Sequence, residues 1–447
     1  MNRKSVFSPP RQLLALAALA CATACVPAGP DVETVRSTAD LPNEKAAVQS
    51  RYTEAEEAVY LARFKALAEG GSGSSGLSAY DPLEPVAGAT EVTAFPASTA
   101  VTLSQSAIEE ATAYAADRNS SAFIIWRDGA IEQEAYFGDY TADTPLVSKS
   151  LSKPVTALIV GRALQQGYIQ SLDQPVADFI TEWKGDAERE KIKIRNLLDM
   201  RAGFLRQNFA TDPEDILNRA YLHPRHDEVI INDYPLTHEP GTRYEYSNAT
   251  SEMIAPVIER ATGMRYSEYL TKALLEPLGA AGGSIWVNRE GGTAHSGCCM
   301  LVPARSYLKM GVLVLQDGIW EGTRLLPEGY VTEMRTATAQ NVHYGLGLWL
   351  AGPYVERRGF ANPSIEFGKV LHSEPYADKD IYLFDGNGNQ TVTMIPSKNI
   401  VVLRLGGRPP RDAEWDNTVL PNMLIRDLSE NGGEDLPEPQ GMTEKQS

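Results

Sequence analysis

An α+β fold is predicted, with an antiparallel sheet of about five strands built from both ends of the chain and a helical lobe inserted between them. Three observations predict it. Ala122-Phe123-Ile124-Ile125-Trp126, a turn at Asp128-Gly129 and an alternating run over 131–137 read as a β-hairpin. The stretch from 155 to about 340 is mostly helical in pattern. Strand-like runs then return over 344–350, 380–384, 391–395 and 400–405. Two strands early and several late close one sheet from the two chain ends.

Taken in order, the elements begin with an export-like leader. Arg3, Lys4 and Arg11 precede an apolar run over 13–25 that is too short to span a bilayer. Ala22-Thr23-Ala24 suits a signal peptidase, and Cys25 directly after it resembles a bacterial lipoprotein acceptor, with Cys21 as a competing site. The expectation is a leader over 1–24 and an exported protein, periplasmic or held at the membrane through a lipidated Cys25. Residues 25–104 then hold a Pro-rich tether over 26–43, a helix over 44–68 and a Gly/Ser linker over 70–76. The helix shows apolar periodicity through Tyr52, Ala55, Val59, Tyr60, Phe64 and Leu67, as a surface helix or a partner-docking one. A second helix is expected over 102–118. The main domain runs over 105–428, and an acidic, disordered tail is expected over 429–447.

The net charge of −17 and pI near 4.9 argue against nucleic acid as a partner, because phosphate binding needs a basic face. Strongly anionic substrates are disfavoured for the same reason. No cofactor fingerprint appears, and no metal site is expected. His223-Pro224-Arg225-His226-Asp227 lacks a second cluster, and Pro224 interrupts the helix that would align its ligands. Cys298 and Cys299 are neighbours, so a bridge between them staples nothing distant. They read as two small apolar side chains entering a helix.

The chemistry-bearing stretch is Ser150-Leu151-Ser152-Lys153. Residues i and i+3 share a helical face, so the Lys153 amine can reach the Ser150 hydroxyl and accept its proton if burial lowers its pKa. Pro154 is tolerable only in a first helical turn, which puts a helix start near Ser150, where free N–H groups collect. The same spelling at Ser306-Tyr307-Leu308-Lys309 reads as mid-helix, an ordinary helix surface. Tyr246-Ser247-Asn248, if extended, points a phenol and an amide to one side, although Tyr246 also fits as a core tyrosine. Asn387-Gly388-Asn389-Gln390 precedes a β-rich run; its glycines permit close substrate approach, and its asparagines equally suit a tight turn.

The order Ser-x-x-Lys, Tyr-x-Asn and a Gly-containing triad resembles the serine β-lactamase and penicillin-binding-protein superfamily. Within it the chain is most similar to class C enzymes, family VIII carboxylesterases and 6-aminohexanoate-oligomer hydrolases. Gly167-Tyr168-Ile169-Gln170-Ser171-Leu172-Asp173-Gln174-Pro175-Val176, Ile194-Arg195-Asn196-Leu197-Leu198-Asp199-Met200 with Ala202-Gly203, and Ala304-Arg305-Ser306-Tyr307 with Gly311 resemble further family segments, covering about 105–425. The resemblance implies an α/β lobe plus an all-α lobe with the site between them. It implies Ser150 as acylated nucleophile, Lys153 as base and Tyr246 as proton shuttle, its phenol kept acidic by Lys153. It also implies Asn248 holding Lys153 and the substrate, and an oxyanion hole from the Ser150 and Gln390 amides. The chain departs from the pattern at Asn387, where relatives carry Lys or His, and at Asn389, where Gly is usual and a side chain would stand beside the scissile bond. A neutral amide cannot pair with a substrate carboxylate as a cation does. The expected activity is therefore hydrolysis of small carboxylic esters or linear amides. β-Lactamase or D-amino-acid peptidase activity, or a catalytically silent peptide- or partner-binding homologue, are the alternatives.

Overall fold

The computed structural model describes residues 51–69, 80–206, 210–360 and 369–432, all within one unit, Glu44–Ser447. The leader, Cys25, the tether, the linker over 70–76 and most of the expected tail lie outside the described residues. Among the described residues no helix is long and apolar enough to cross a membrane.

Helix α1 (Glu54–Glu69) is capped reciprocally by Thr53 and Glu56, and residues 44–50 of the expected helix lie outside the described residues. The Glu56 amide donates to Thr53 Oγ1 at 3.3 Å, and the Thr53 amide donates to Glu56 Oε2 at 2.9 Å. Strand β1 (Leu83–Val86) follows, then helix α2 (Gln105–Ala116), N-capped by Ser104. Strands β2 (Ser120–Arg127) and β3 (Ala130–Tyr136) form the expected hairpin. Strand β4 (Leu146–Val147) leads into helix α3 (Ser152–Gln165). After the helical lobe come the short helix α4 (Asn248–Glu252), strands β5 (Gly283–Trp286) and β6 (Met300–Val302), and helix α5 (Ala304–Leu315). Strands β7 (Trp349–Leu350), β8 (Tyr382–Gly386), β9 (Gln390–Ile395) and β10 (Ile400–Gly406) precede the final helix α6 (Val419–Gly432).

The main sheet is six-stranded, in order β3-β2-β10-β9-β8-β7, with every pairing antiparallel. It is thus closed by the two chain ends, one strand larger than expected. Both of its faces are covered, which is why 122–126 is continuously apolar rather than alternating. Phe123, Ile125, Ile400 and Val402 point to a layer with Ile108, Ala111, Leu424 and Ile425 from α2 and α6. Ile124, Trp126, Val401 and Leu403 point the other way, to the core shared with α3 and α5. Gly311 lets α5 lie directly on the sheet, since a Cβ there would stand 2.6 Å from Val392 Cγ1.

Several expectations are corrected. Only Trp349–Leu350 of the 344–350 run is strand. Chain beyond Ser429 continues α6 to Gly432, because Leu420, Leu424, Ile425 and Leu428 bury one face. A second, four-stranded sheet, β1-β5-β6-β4, has no counterpart in the sequence reading, since its strands are two to four residues long and carry no visible period. Cys298 and Cys299 lie in a turn before β6, not in a helix, and are joined to each other as a disulfide. Ser306 lies in the first turn of α5 rather than mid-helix, and it is buried.

Candidate active site

Strand β4 delivers the chain to a 3-10 turn, Lys149–Leu151, that runs straight into α3. Lys149 adopts φ 48°, a sparsely populated left-handed conformation for a residue with a side chain, immediately before Ser150. Ser148 holds the turn in place. Its Oγ accepts from the Cys299 and Met300 amides at 3.1 and 3.0 Å, and its own amide donates to Met300 O at 2.8 Å. The small sheet therefore splices the Ser150 turn to the 297–300 segment.

Lys153 Nζ lies 3.2 Å from Ser150 Oγ, 2.8 Å from Asn248 Oδ1 and 2.9 Å from Gly297 O. It is buried, and burial lowers its pKa to about 7, with the Glu252 carboxylate opposing. Asn248 opens α4 from an extended Ser247, and both Asn248 and Tyr246 lie against the Lys153 amine. The Lys153 ammonium position stands 4.8 Å from the Tyr246 ring centroid. Burial pushes the Tyr246 phenol above its ordinary value, against a lowering contact with Ser150. This corrects the expectation of an acidic phenol: Tyr246 holds its proton. The ring is wedged by Trp349 at 6.4 Å and Phe360 at 5.5 Å between centroids.

The backbone beside the Ser150 turn is Gly386, at the end of β8. A Cβ there would stand 3.2 Å from both Leu151 N and Ser148 O, a close contact that would press on the Ser150 turn. Asn387 follows it into the cavity that Ser150 and Asn248 also line. Gln390 is one strand further on, at the start of β9. Its side-chain amide donates to Val147 O at 2.9 Å and Ser148 O at 3.2 Å, bracing the turn. Gly388 (φ 87°) and Asn389 (φ 59°) form the hairpin turn between β8 and β9. Asn389 thus serves the turn and, unlike Asn387, is not among the residues that line the Ser150 cavity.

The second Ser-x-x-Lys copy has a structural part. Lys309 Nζ donates to Thr93 Oγ1, Thr93 O, Leu278 O and Gly279 O at 2.6–2.9 Å, while Ser306 Oγ donates to Ala281 O. What separates the two copies is the partner set, not their place in a helix.

Sequence reasoning missed Ser148, Gly297 and Glu252. Glu252 was findable, because it sits four residues after Asn248 and so shares its helical face. It also supplies the second cluster that the His226 segment was expected to lack. His226 Nε2 lies 3.7 Å from Glu252 Oε2 and His295 Nδ1 lies 3.6 Å from Glu252 Oε1, all three buried. The two imidazoles stack at 4.1 Å with planes 12° apart, so their in-plane lone pairs run in separate planes and do not converge on one ion. The trio is a carboxylate clasped by two rings behind Lys153.

The disulfide is checkable by mass. The peptide bearing Cys298 and Cys299 from unreduced protein should carry the oxidised pair and should alkylate only after reduction. Two alkylated thiols without reductant would refute the bond.

The matching family model is Beta-lactamase, over residues 105–419. Over 223 residues the chain is 26% identical to the 6-aminohexanoate-dimer hydrolase of Paenarthrobacter ureafaciens, covering 47% of this chain and 56% of that one. Protein flp of Staphylococcus aureus (strain MRSA252) is 27% identical over 131 residues, 29% of this chain and 26% of its own. The matched stretches therefore span about half and about a quarter of those relatives. Among solved structures, a Bacillus anthracis protein assigned as a 6-aminohexanoate-dimer hydrolase superposes with TM-score 0.61 at 17% identity, covering 80% of this chain and 93% of its own. EstCE1, described as a hydrolase with promiscuous acyltransferase activity, gives TM-score 0.52 at 17% identity over 72% of this chain and 97% of its own. The fold is the serine-hydrolase-type β-lactamase fold, and with the model matched over most of its length this chain belongs to the Beta-lactamase family.

Proposed function

We propose that the chain hydrolyses carboxylic esters or linear amides through an acyl-enzyme on Ser150. One observation carries this reading: Lys153 Nζ sits 3.2 Å from Ser150 Oγ while two carbonyl-type acceptors, Asn248 Oδ1 and Gly297 O, take its other contacts. A neutral amine has two N–H donors and one lone pair. With both donors engaged by those acceptors, the lone pair is left for the Ser150 hydroxyl proton. Burial, which lowers the amine to about 7, makes the neutral form available near neutral pH.

In the first half-reaction Ser150 Oγ attacks the carbonyl carbon and its proton passes to Lys153 Nζ. The tetrahedral oxyanion is met by the Ser150 amide and the amide of Asn387, which replaces Gln390 in that assignment because Gly386–Asn387 borders the nucleophile turn. Collapse breaks the C–O or C–N bond, and the leaving group takes the proton through Tyr246, whose phenol remains protonated. Water then cleaves the ester on Ser150 by the reverse relay. Asn387 offers no positive charge to a substrate carboxylate, which favours ester or linear amide over β-lactam.

The test pairs wild type with Ser150→Ala on p-nitrophenyl butyrate, nitrocefin and an aminohexanoate dimer, together with a fluorophosphonate probe and mass spectrometry. The expected outcome is a single adduct on Ser150, with turnover absent from the variant. Undiminished turnover by Ser150→Ala, or an adduct elsewhere, removes the assigned nucleophile.

A further inference from the structure

Helix α1 lies upstream of the family-matching segment 105–419, yet it forms one wall of the cavity of about 1090 Å³ that holds Ser150, Asn248 and Asn387. Ala55, Val59, Ala62 and Ala66 line that cavity and recur at i, i+4, i+7 and i+11, a single helical face about 16 Å long at 1.5 Å per residue. All four are exposed, Val59 at 43%. Polar and aromatic side chains of α1 fasten it to the body of the fold. Arg219 grips Glu57 at 2.8 and 3.0 Å, Arg225 meets Glu56 at 2.6 Å, and buried Tyr60 donates to Pro213 O. Arg63 donates to the carbonyls of Leu222, Asp81 and Asn288 at 2.7–3.1 Å. A helix this firmly attached, which brings a stripe of small and aliphatic side chains to the space beside a nucleophile along with Glu56, Arg63, Phe64 and Leu67, is a built wall rather than a loose flap.

The lining charges indicate what the wall accepts. Three are acidic (Glu56, Asp81, Glu290) and three basic (Arg63, Lys149, Arg289), so the cavity has no excess of either sign for a charged chain to meet. The cations are also engaged: Arg63 as above, Arg289 with Pro224 O at 2.9 Å, and Lys149 with the Tyr80 hydroxyl. Leu222, Pro224 and Trp286 also line the cavity. A volume at the upper end of ordinary ligand sites, bounded by such groups, exceeds what a short acyl group fills.

We propose that α1 is the chain-binding wall of the Ser150 site, and that the substrates are neutral esters or amides bearing an extended unbranched aliphatic chain. The proposal rests on the acyl-enzyme reading above and adds the substrate class to it. Each methylene that lies against the stripe is withdrawn from water, at about 0.8 kcal/mol per CH2. That corresponds to about a fourfold gain in kcat/KM per added carbon until the cavity is filled.

The test uses the full chain with p-nitrophenyl butyrate, p-nitrophenyl octanoate and an ester whose chain ends in a carboxylate, on wild type, Ala62→Trp, Val59→Trp and Ser150→Ala. Wild type should favour octanoate over butyrate by at least tenfold, and over the carboxylate-ended ester by a similar factor. Either Trp variant should cut the octanoate-to-butyrate ratio by at least tenfold through KM. Both positions are exposed, and fluorophosphonate labelling of Ser150 in the variants reports an intact nucleophile. A ratio unmoved by both Trp variants, or preference for the charged chain, overturns the chain-binding wall and leaves the nucleophile standing. Ester turnover surviving in Ser150→Ala overturns the acyl-enzyme reading instead.

Discussion

Replacing Lys153 with Met should lower kcat/KM by about 10³–10⁴-fold, the upper range for a positioned general base. The side chain keeps its length and apolar stem and loses only the amine. The pH profile gives the sharper check. Because burial lowers the amine to about 7, wild-type kcat/KM should rise as pH climbs through about 7, where Lys153 sheds its proton and its lone pair becomes free. Lys153→Arg should be as inactive as Met, since a guanidinium stays protonated throughout and has no lone pair to offer. The stability linkage runs in the same direction. The folded amine titrates near 7 and the unfolded one near 10.5, so the unfolded chain binds the extra proton between those values. This group's contribution to stability should therefore increase with pH across that window. A profile unchanged in Lys153→Met would remove Lys153 from the proton path.

The largest stability effect is expected at Arg404, on β10. Its guanidinium is fully buried and donates to Ser120 Oγ at 2.8 Å and to the carbonyls of Arg118, Asn119, Gly388, Asn389 and Gly407 at 2.5–3.1 Å. Burial lowers its pKa to about 10, so it remains charged at neutral pH. Arg404→Met would strand these buried acceptors, at a cost on the order of 3–5 kcal/mol, read as a lower urea midpoint at unchanged m-value. Arg404→Lys should recover only part of this, because an ammonium has three donors to the guanidinium's five. Two of the stranded carbonyls, Gly388 and Asn389, belong to the hairpin turn after Asn387, so ester turnover should fall together with stability. An unfolding free energy lowered by less than about 1 kcal/mol would mean that the arginine is not the hub of that turn.

Legibility followed range along the chain. Ser150 and Lys153 were readable because their spacing is one helical turn and Pro154 marks the helix start. Tyr246 and Asn248 were readable because two residues of extended chain return to one side. The hairpin β2-β3 was readable from its Asp-Gly turn, and β9 and β10 from their β-branched runs. The Gln390 and Asn387 assignments differ because motif order does not reveal on which side of a hairpin turn the chain passes Ser150. Gly386 does so on β8, and Gln390, four residues later, braces from β9 with its side chain.

Local pattern by itself determined the main sheet, the Ser150–Lys153 pair and the net negative charge, since each depends on residues a few positions apart or on composition. Tertiary structure alone decided the rest. It brought Gly297 O to the amine from 144 residues away, paired Cys298 with Cys299 in a turn, and clasped Glu252 between two distant imidazoles. It also laid α1 along the cavity of a site that begins some 80 residues downstream. Such contacts join segments whose sequences carry no mutual period, and only the packing of the whole core decides which surfaces meet.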